Sequence, residues 1–507
     1  MDLRRDGNIL FVTLDQLRAD CLAASAPGAP LAGLAPTPAL DRLATEGCVF
    51  REHWTNAVPC GPARASLLTG LYAFNHRVVR NGAPLAAHHA TLATELRRLG
   101  REPLLFGYAD QAPDPGDLAR GDPDLQTYEQ PARGFREIVE MRFEAPMAWI
   151  GALRARGYAL PEPLPERMAD LFHPVAPEGR APRPDDPAAY RAEDSDTAFL
   201  TDRTLEALDA RRDGAWTAHL TYIRPHPPLV APAPWNRAVD PATVPPPAPG
   251  GSAHPFRDAW FSAPTQTGLF HGFDGECAAL PADAVARLRA VYLGLLAEVD
   301  AHLGRVLDWL EDRGLAERTL VVVTADHGEM LGDQGLWGKE SVFAPAHRVP
   351  LLIRDPLRPG PCAAAAITEA VDVAPTILAW LGADAPPAMD GVSLLPALEG
   401  RAPARAAQAL TEIDLAHPLR PTRFQRAWGL DATRCNAAVL RDTRWSYVHF
   451  NGGLAPMLFD RAADPDETVD LAGDPAAAPE IRRLLSAMTD LRMRRADRRL
   501  THHAIGA

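Results

Sequence analysis

The sequence predicts an α/β protein: a doubly wound, mostly parallel sheet with a smaller C-terminal α+β subdomain. Three observations predict this class. Continuous apolar runs, NILFVTLD at 8–15 and TLVVVT at 319–324, are typical of strands buried on both faces of a parallel sheet. Segments with helical spacing of apolar residues separate such runs, as a doubly wound sheet requires. From about residue 401, short strands and one helix replace that alternation.

Each predicted element has a local signal. Residues 38–47 and 62–70 begin near a proline and end at a glycine, which is the usual punctuation of a short helix. Residues 282–314 carry apolar side chains at turn spacing and form the longest predicted helix. The other predicted helices are 91–99, 373–381 and 481–495, and the other predicted strands are 103–108, 216–223, 349–353, 445–450 and 456–460.

The change of pattern also predicts the domain organisation. Residues 1–400 form the main α/β domain, and residues 401–507 form the C-terminal subdomain with a small antiparallel sheet and a terminal helix. Two proline-rich stretches, near 161–186 and 226–256, interrupt the alternation and are interpreted as insertions. Either insertion fits a solvated surface loop or a lid that encloses a substrate.

Composition excludes several classes of function. The 507 residues carry a net charge of −13, so nucleic acid and anionic membrane surfaces are poor partners. We see no signal peptide and no apolar run long enough to span a bilayer. The six cysteines are scattered without a Cys-x-x-Cys pair, which favours a reducing compartment and a cytoplasmic protein. Among 52 basic residues, Lys339 is the single lysine, which a codon bias toward arginine does not explain.

Polar side chains follow four of the predicted strands. In an open parallel sheet these carboxyl ends meet at one edge, where ligands bind. The carboxylates of Asp15 and Asp326 and the imidazole of His327 suit a divalent cation, and Gln16 can add a neutral oxygen. Each residue alone also fits a capping or hydrogen-bonding role. The strand-end residues are Asp15, Tyr108, Asp110, Arg224, His226, Asp326 and His327.

The segment VPCGPARASLLTG at 58–70 carries the most specific signal. Cys60 stands at a predicted helix N-terminus, where backbone N–H groups favour negative charge, whereas a lone cysteine is usually a small buried apolar residue. The segment matches the Cys-x-Pro-x-Arg-x-x-x-Leu-Thr-Gly signature of sulfatases. The chain resembles type I sulfatases of the alkaline phosphatase superfamily, and most of all their phosphonate monoester hydrolase and phosphodiesterase branch. The segments GYADQAPDP, YIRPHPPLVAPAPW, DHGEMLGDQGLWGKE and AVDVAPTILAWLG, with the tail from RWSYVHF onward, support this resemblance.

The resemblance implies a site and its chemistry. A formylglycine-generating enzyme would convert Cys60 to formylglycine (3-oxoalanine), whose hydrated aldehyde supplies the nucleophile. One divalent metal ion would be held by Asp15, Cys60, Asp326 and His327. The implied catalytic residues are Cys60, Arg64, His226 and Lys339, and the implied substrate-binding residues are Asn81, Tyr108 and Asp110.

Several positions depart from the sulfatase pattern. Gln16 stands where arylsulfatases have a second aspartate, and GYADQAPDP lacks their lysine. An imidazole at His327 in place of an amide shifts the expected metal from Ca²⁺ toward Mn²⁺, with Fe²⁺ or Zn²⁺ as alternatives. Asp110 stands where a hydroxyl residue is expected, and a carboxylate repels an anionic substrate unless it is protonated or paired. Gln334 replaces a common histidine.

These observations predict a metal-dependent hydrolase of phosphonate monoesters and phosphodiesters that also hydrolyses sulfate monoesters. The alternative is an arylsulfatase, with sulfate esters as the main substrates. A non-catalytic anion-binding relative with unmodified Cys60 is a further reading. A route like that of alkaline phosphatase needs a second metal site, for which we see no His/Asp cluster. The partner expected is a small anionic ester, and the resemblance implies a homo-oligomer, a tetramer or dimer, with the tail RRADRRLTHHAIGA between subunits.

Overall fold

The computed structural model describes residues 6–164, 167–263 and 279–497. Its main sheet has eight strands in the order β5-β4-β6-β1-β7-β8-β2-β9. Strand β8 is antiparallel to both neighbours, and every other neighbouring pair is parallel, so the predicted mostly parallel sheet is confirmed. The strands are β1 (Asn8–Leu14), β2 (Cys48–Trp54), β3 (Ala57–Val58), β4 (Pro103–Gly107), β5 (Arg136–Glu140), β6 (Thr217–Tyr222), β7 (Thr319–Thr324), β8 (Leu351–Arg354), β9 (Cys362–Glu369), β10 (Gln408–Asp414), β11 (Asn436–Asp442), β12 (Trp445–Phe450) and β13 (Met457–Asp460).

Helices cover both faces of the main sheet, as a doubly wound fold requires. Leu10 and Val12 of β1 point to one face, which packs against the longest helix, whereas Ile9 and Phe11 point to the other. The helices are α1 (Pro38–Glu46), α2 (Cys60–Thr69), α3 (Ala73–His76), α4 (Leu92–Arg98), α5 (Met147–Ala155), α6 (Asp196–Asp209), α7 (Pro255–Phe261), α8 (Ala282–Asp312), α9 (Ala344–His347), α10 (Val373–Trp380), α11 (Leu395–Leu398), α12 (Arg423–Trp428) and α13 (Ala478–Arg495).

The central strands end together at one edge of the sheet. In the register of β1, Thr13 lies opposite Thr221 of β6 and Thr324 of β7. All three strands are buried along their whole length, which explains the apolar runs of β1 and β7. The residues that follow each strand therefore meet at the carboxyl edge of the sheet.

Strands β2, β5 and β9 of the main sheet were not predicted from the sequence, and neither were β3, β10 and β11 of the second sheet. In β2 the exposed Arg51 and half-buried Glu52 interrupt the apolar run, and in β9 a run of four alanines alternates between exposed and half-buried positions. A disulfide joins Cys48 and Cys362 across the β2–β9 pair, although 314 residues separate them in the chain. Their spacing in the sequence carries no sign of this pairing.

The second sheet combines one strand from the N-terminal part of the chain with four strands from its C-terminal part. Its strand order is β13-β12-β11-β10-β3, and the first four strands come from the segment after residue 401. The fifth, β3, comes from the N-terminal part and pairs in parallel with β10, with Ala57 opposite Glu412 and Val58 opposite Ile413. The residues just before Cys60 are therefore part of the smaller sheet.

The proline-rich stretch at 226–256 packs against the main domain. Leu229, Val230 and Ala231 are buried in the core, and the turn Trp235–Arg237 lies against α8. The stretch at 161–186 contains one short helical turn, Met168–Phe172, that buries Phe172. Residues 227–232 are therefore not a solvated loop, whereas most of residues 237–253 are exposed or half-buried. Closure of either stretch over a substrate stays a prediction.

Across the described residues, no helix is both long and apolar enough to cross a membrane. The expected cytoplasmic location stays a prediction. Most of the C-terminal tail that was expected to lie between subunits, and Cys277, fall outside the described residues.

Candidate active site

Helix α2 carries the cysteine signature into the centre of the molecule. It begins at Cys60, directly after β3 and Pro59, and every one of its residues is buried. Small residues such as Gly61 and Ala63 allow this complete burial, and Gly70 ends the helix with φ 64°, a left-handed conformation that favours glycine. The helix thus presents Cys60 and Arg64 to the carboxyl edge of the main sheet.

Four of the expected metal ligands lie together at this edge. One ligand atom each of Asp15, Cys60, Asp326 and His327 lies within 4.8 Å of all the others, and all four residues are buried. His327 Nε2 lies 3.2 Å from Cys60 Sγ. The structure brings together residues that are up to 312 positions apart in the chain.

The donor set fits a divalent cation. His327 Nδ1 donates to the Gly328 carbonyl at 3.0 Å, which leaves the lone pair of Nε2 directed at the cluster. Asp15 Oδ1 is buried and has no hydrogen-bond partner among the described residues, as expected of an oxygen that serves a cation. Burial favours the neutral acid, yet positive charges around it, those of Arg64 and Lys339 among them, hold the pKa of Asp15 below its usual value.

Arg64 fixes the two carboxylates of the cluster. Its Nε donates to Asp326 Oδ2 and its Nη2 to Asp15 Oδ2, both at 2.9 Å. Its Nη1 donates to the Tyr108 carbonyl at 3.0 Å and to Thr221 Oγ1 at 2.8 Å. The guanidinium thus orients two carboxylates of the cluster, and the catalytic role that the resemblance implies for Arg64 stays a prediction.

Tyr108 lies beside Arg64 rather than in open space. Its hydroxyl donates to Asp15 Oδ2, and its ring centroid lies 4.1 Å from the Arg64 guanidinium carbon. Burial raises the pKa of Tyr108 well above its usual value, so the hydroxyl stays a donor. Tyr108 thus supports Asp15 in this arrangement, and its expected substrate-binding role stays a prediction.

Lys339 is held next to the cluster by two acceptors. Its Nζ lies 2.8 Å from Gln16 Oε1 and 2.8 Å from His226 Nε2. Burial opposes its charge, but Cys60, Asp15 and Asp326 raise the pKa of Lys339, which keeps the ammonium form. Gln16 also donates to Glu329 through Nε2, so the residue considered as an extra ligand instead links Lys339 to Glu329.

His226 is a neutral imidazole in this arrangement. Its Nδ1 donates to the Pro227 carbonyl, so its Nε2 accepts from Lys339. Burial first, and then the charge of Lys339, lower the pKa of His226 to about 3. The imidazole therefore holds the ammonium in place and carries no charge of its own near neutral pH.

A buried arginine positions the His226 loop. Arg224 Nη1 donates to the carbonyls of His226 at 3.1 Å and Pro228 at 2.9 Å. Its Nε donates to Asp196 Oδ2 at 3.0 Å. The only sequence signal for this contribution is the place of Arg224 after a strand.

Asn81 and Asp110 meet the first turn of α2. Asn81 Oδ1 accepts from the Gly61 backbone N–H at 2.8 Å, and a Cβ at Gly61 would lie 3.2 Å from both that oxygen and the Asp110 carbonyl. Asp110 Oδ2 lies 3.9 Å from Arg64 Nε. Burial raises the pKa of Asp110 to about 7. Gln111, which no sequence signal marked, donates to the carbonyls of Gly61 and Asp110 at 2.9 Å.

Gln334 lies outside this constellation. Its Nε2 donates to the carbonyls of Asp466 at 2.8 Å and Glu467 at 3.1 Å, and its Oε1 accepts from Arg257. The residue that replaces a family histidine thus ties the loop after β7 to the C-terminal subdomain.

A cavity of about 670 Å³ opens beside the cluster. Its inner end is formed by Pro59, Asn81 and Lys339. Its outer wall comes from residues 414–417, 422–424 and 426 of the C-terminal subdomain, with Trp260 and Trp337 at the side. A substrate would therefore reach Cys60 between the two sheets.

The mostly parallel sheet, the ligand cluster at its carboxyl edge and the smaller second sheet define a member of the alkaline phosphatase superfamily. Within it, the chain belongs to the sulfatase family of hydrolases, because the protein-family model described as Sulfatase matches residues 7–383. A second model, described as N-sulphoglucosamine sulphohydrolase, C-terminal, matches residues 332–494.

Similar proteins cover nearly the whole chain. The multifunctional alkaline phosphatase superfamily protein PehA of Trinickia caryophylli is 37% identical over 98% of this chain and 97% of its own length. The phosphonate monoester hydrolase SpPMH from Silicibacter pomeroyi has a TM-score of 0.91 and 45% identity, covering 98% of this chain and 97% of that one. The phosphonate monoester hydrolase of Agrobacterium radiobacter has a TM-score of 0.88 and 36% identity with the same coverage. The expected branch of the family is thereby confirmed.

Proposed function

We propose that this enzyme hydrolyses phosphonate monoesters and phosphodiesters through formylglycine formed from Cys60, and that it also hydrolyses sulfate monoesters. The observation that carries the proposal is the position of Cys60 Sγ, 3.2 Å from His327 Nε2 inside a ligand cluster that Lys339 flanks. The likeness to two phosphonate monoester hydrolases at 45% and 36% identity supports the choice of ester.

Asp15, Asp326, His327 and the side chain at position 60 would hold one divalent metal ion, with Mn²⁺ favoured over Ca²⁺, Fe²⁺ and Zn²⁺. When bound, such an ion supplies positive charge to the ester oxygens and acidifies an oxygen nucleophile. Formylglycine, once hydrated, offers an oxygen nucleophile that a thiol lacks.

The chain's own residues supply the remaining electrostatics. Lys339 presents an ammonium to the non-bridging or leaving oxygen, and neutral His226 keeps it there. Arg64 holds Asp15 and Asp326 in a fixed orientation, so no reorganisation of these carboxylates is needed during the reaction. Phosphonate monoesters, phosphodiesters and sulfate monoesters each carry one negative charge, so one site can accept all three.

The test compares three esters of the same leaving group, 4-nitrophenol: the phenylphosphonate, the bis(4-nitrophenyl) phosphate diester and the sulfate. We expect kcat/KM to be higher for the phosphonate and the diester than for the sulfate. A strong preference for the sulfate would establish the arylsulfatase alternative instead.

Maturation is tested by the intact mass of protein from the native host. Conversion of Cys60 to the aldehyde is expected in the active fraction. An unmodified thiol with no turnover of any ester would favour the anion-binding alternative. Chelation followed by addition of single metals, with Mn²⁺ expected to restore the highest activity, tests the metal.

A further inference from the structure

The cavity beside Cys60 is much larger than an ester group. Its volume of about 670 Å³ lies in the range that holds a whole small-molecule ligand. Pro59, Asn81 and Lys339 join it to the catalytic cluster, so a substrate seated there extends outward past the reacting centre. The outer space is therefore available to the alcohol part of the ester.

The charges that line this cavity are unequal. Arg80, Lys339, Arg423 and Arg426 are cationic, whereas Glu340 and Asp414 are anionic, which leaves a formal excess of two positive charges. The reacting ester carries one negative charge next to Lys339. One positive charge therefore stays uncompensated in the outer part of the cavity.

Arg80 is positioned to carry that uncompensated charge. No hydrogen bond or ion pair engages its guanidinium among the residues that the structure describes. It directly precedes Asn81, whose Oδ1 binds the Gly61 N–H one residue after Cys60. Asp414 lines the same cavity: burial raises its pKa and the charge of Arg80 opposes that rise, yet the two side chains make no ion pair, and Asp414 Oδ1 accepts from the Ala416 N–H.

The side walls strengthen a charge-charge contact at Arg80. The rings of Trp260 and Trp337 line the same cavity, and apolar walls exclude water and lower the local dielectric constant. Trp260 is itself fixed, because Arg423 lies over its ring at 5.4 Å from the centroid. The aromatic surface suits the flat or apolar body of an alcohol.

We propose that the substrate carries a second acidic group, such as a carboxylate, on an aromatic or apolar alcohol, and that Arg80 binds it. This inference rests on the proposed ester hydrolysis and names the substrate class. A planar guanidinium can take such a group through two parallel N–H donors.

The experiment compares two esters of phenylphosphonic acid, one with 4-carboxyphenol and one with 4-carbamoylphenol. The two alcohols have nearly the same shape and differ in charge. For each protein, the preference is the kcat/KM for the carboxylate ester divided by that for the carbamoyl ester. We expect this preference to be about tenfold higher in the wild type than in Arg80→Gln. Comparing the ratios between variants cancels the difference in leaving-group reactivity.

Three further variants make the result specific. Arg482→Gln removes an exposed cation from α13, outside the cavity, and should leave the preference unchanged. Arg80→Lys should keep part of it, because the charge remains. Asp414→Asn should increase it, because a carboxylate that repels the probe is removed while its acceptor oxygen is kept.

If the ratio of kcat/KM between the carboxylate ester and the carbamoyl ester is the same in the wild type and in Arg80→Gln, the inference is overturned, whatever the absolute activity. If the wild type hydrolyses neither ester, the proposed function fails, and calorimetric affinities for the same two esters then decide the inference. A carboxylate preference in binding that Arg80→Gln removes would support it, and equal affinities would contradict it.

Discussion

The catalytic centre and the cavity that leads to it are built in opposite ways. In the centre, charged side chains are buried and paired: Arg64 contacts Asp15 and Asp326, and Lys339 contacts two acceptors. In the outer cavity, Arg80 is half-buried and Arg426 is exposed, and loops of two different sheets meet. Pairing fixes geometry for one reaction, whereas unpaired charge in a cavity is available to select a substrate. Variants in the centre should therefore lower turnover of all esters, and variants in the cavity should change which ester is preferred.

The largest effect is expected at Cys60. Cys60→Ala removes the precursor of the nucleophile and should lower kcat by at least about 10³-fold for every ester. Cys21→Ala, which removes another fully buried free thiol, is the matched control and should keep the activity of the folded protein. Activity of Cys60→Ala within tenfold of the wild type would show that another group is the nucleophile.

Lys339→Arg keeps the charge but should lower kcat about 10²-fold. The ammonium is a compact charge with acceptors at 2.8 Å on both sides, and a planar guanidinium cannot take that position without displacing Gln16 or His226. The melting temperature should change little, which separates this loss from unfolding. Near wild-type turnover would mean that the single lysine of the chain survived by chance.

The pH dependence of KM, compared between the wild type and Asp110→Asn, tests the role of Asp110 at the boundary between the two regions. Burial raises the pKa of Asp110 to about 7, so the carboxyl is neutral below pH 7 and repels an anionic substrate above it. The KM of the wild type should therefore rise between pH 6 and pH 8. Asp110→Asn should lack this rise, with KM roughly threefold to tenfold below the wild type at pH 8 and similar at pH 6. Parallel pH profiles of the two proteins would exclude this role.

The centre could be predicted from the sequence because its signals are local. The nucleophile motif is one continuous segment, and β1 and β7 are uninterrupted apolar runs that end just before Asp15 and Asp326. The sheet geometry then brings their ends together without further information. Contacts between distant residues were harder to predict: Gln16 accepts a hydrogen bond from Lys339, which lies 323 positions away.

The cavity could not be predicted because no local pattern encodes it. Its wall depends on the pairing of β3 with β10, which joins residues 57–58 to 412–413. Residue pairs so far apart in the chain produce no periodicity in either segment. Arg80 likewise has no motif of its own, and only its place beside Asn81 in the folded chain gives it a role.

The smallest effect is expected at the rim of the cavity. Arg426 is exposed, and its Nη1 donates to the Pro421 carbonyl, so solvent screens its charge. Arg426→Gln should reduce the preference for the carboxylate ester by less than about threefold at low salt, and by less still at 0.5 M salt, where the Debye length is only about 4 Å. Turnover of the carbamoyl ester provides the reference in the same assay. A loss as large as that of Arg80→Gln would show that the second acidic group binds at the rim, between the α12 helix and solvent, rather than beside Asn81.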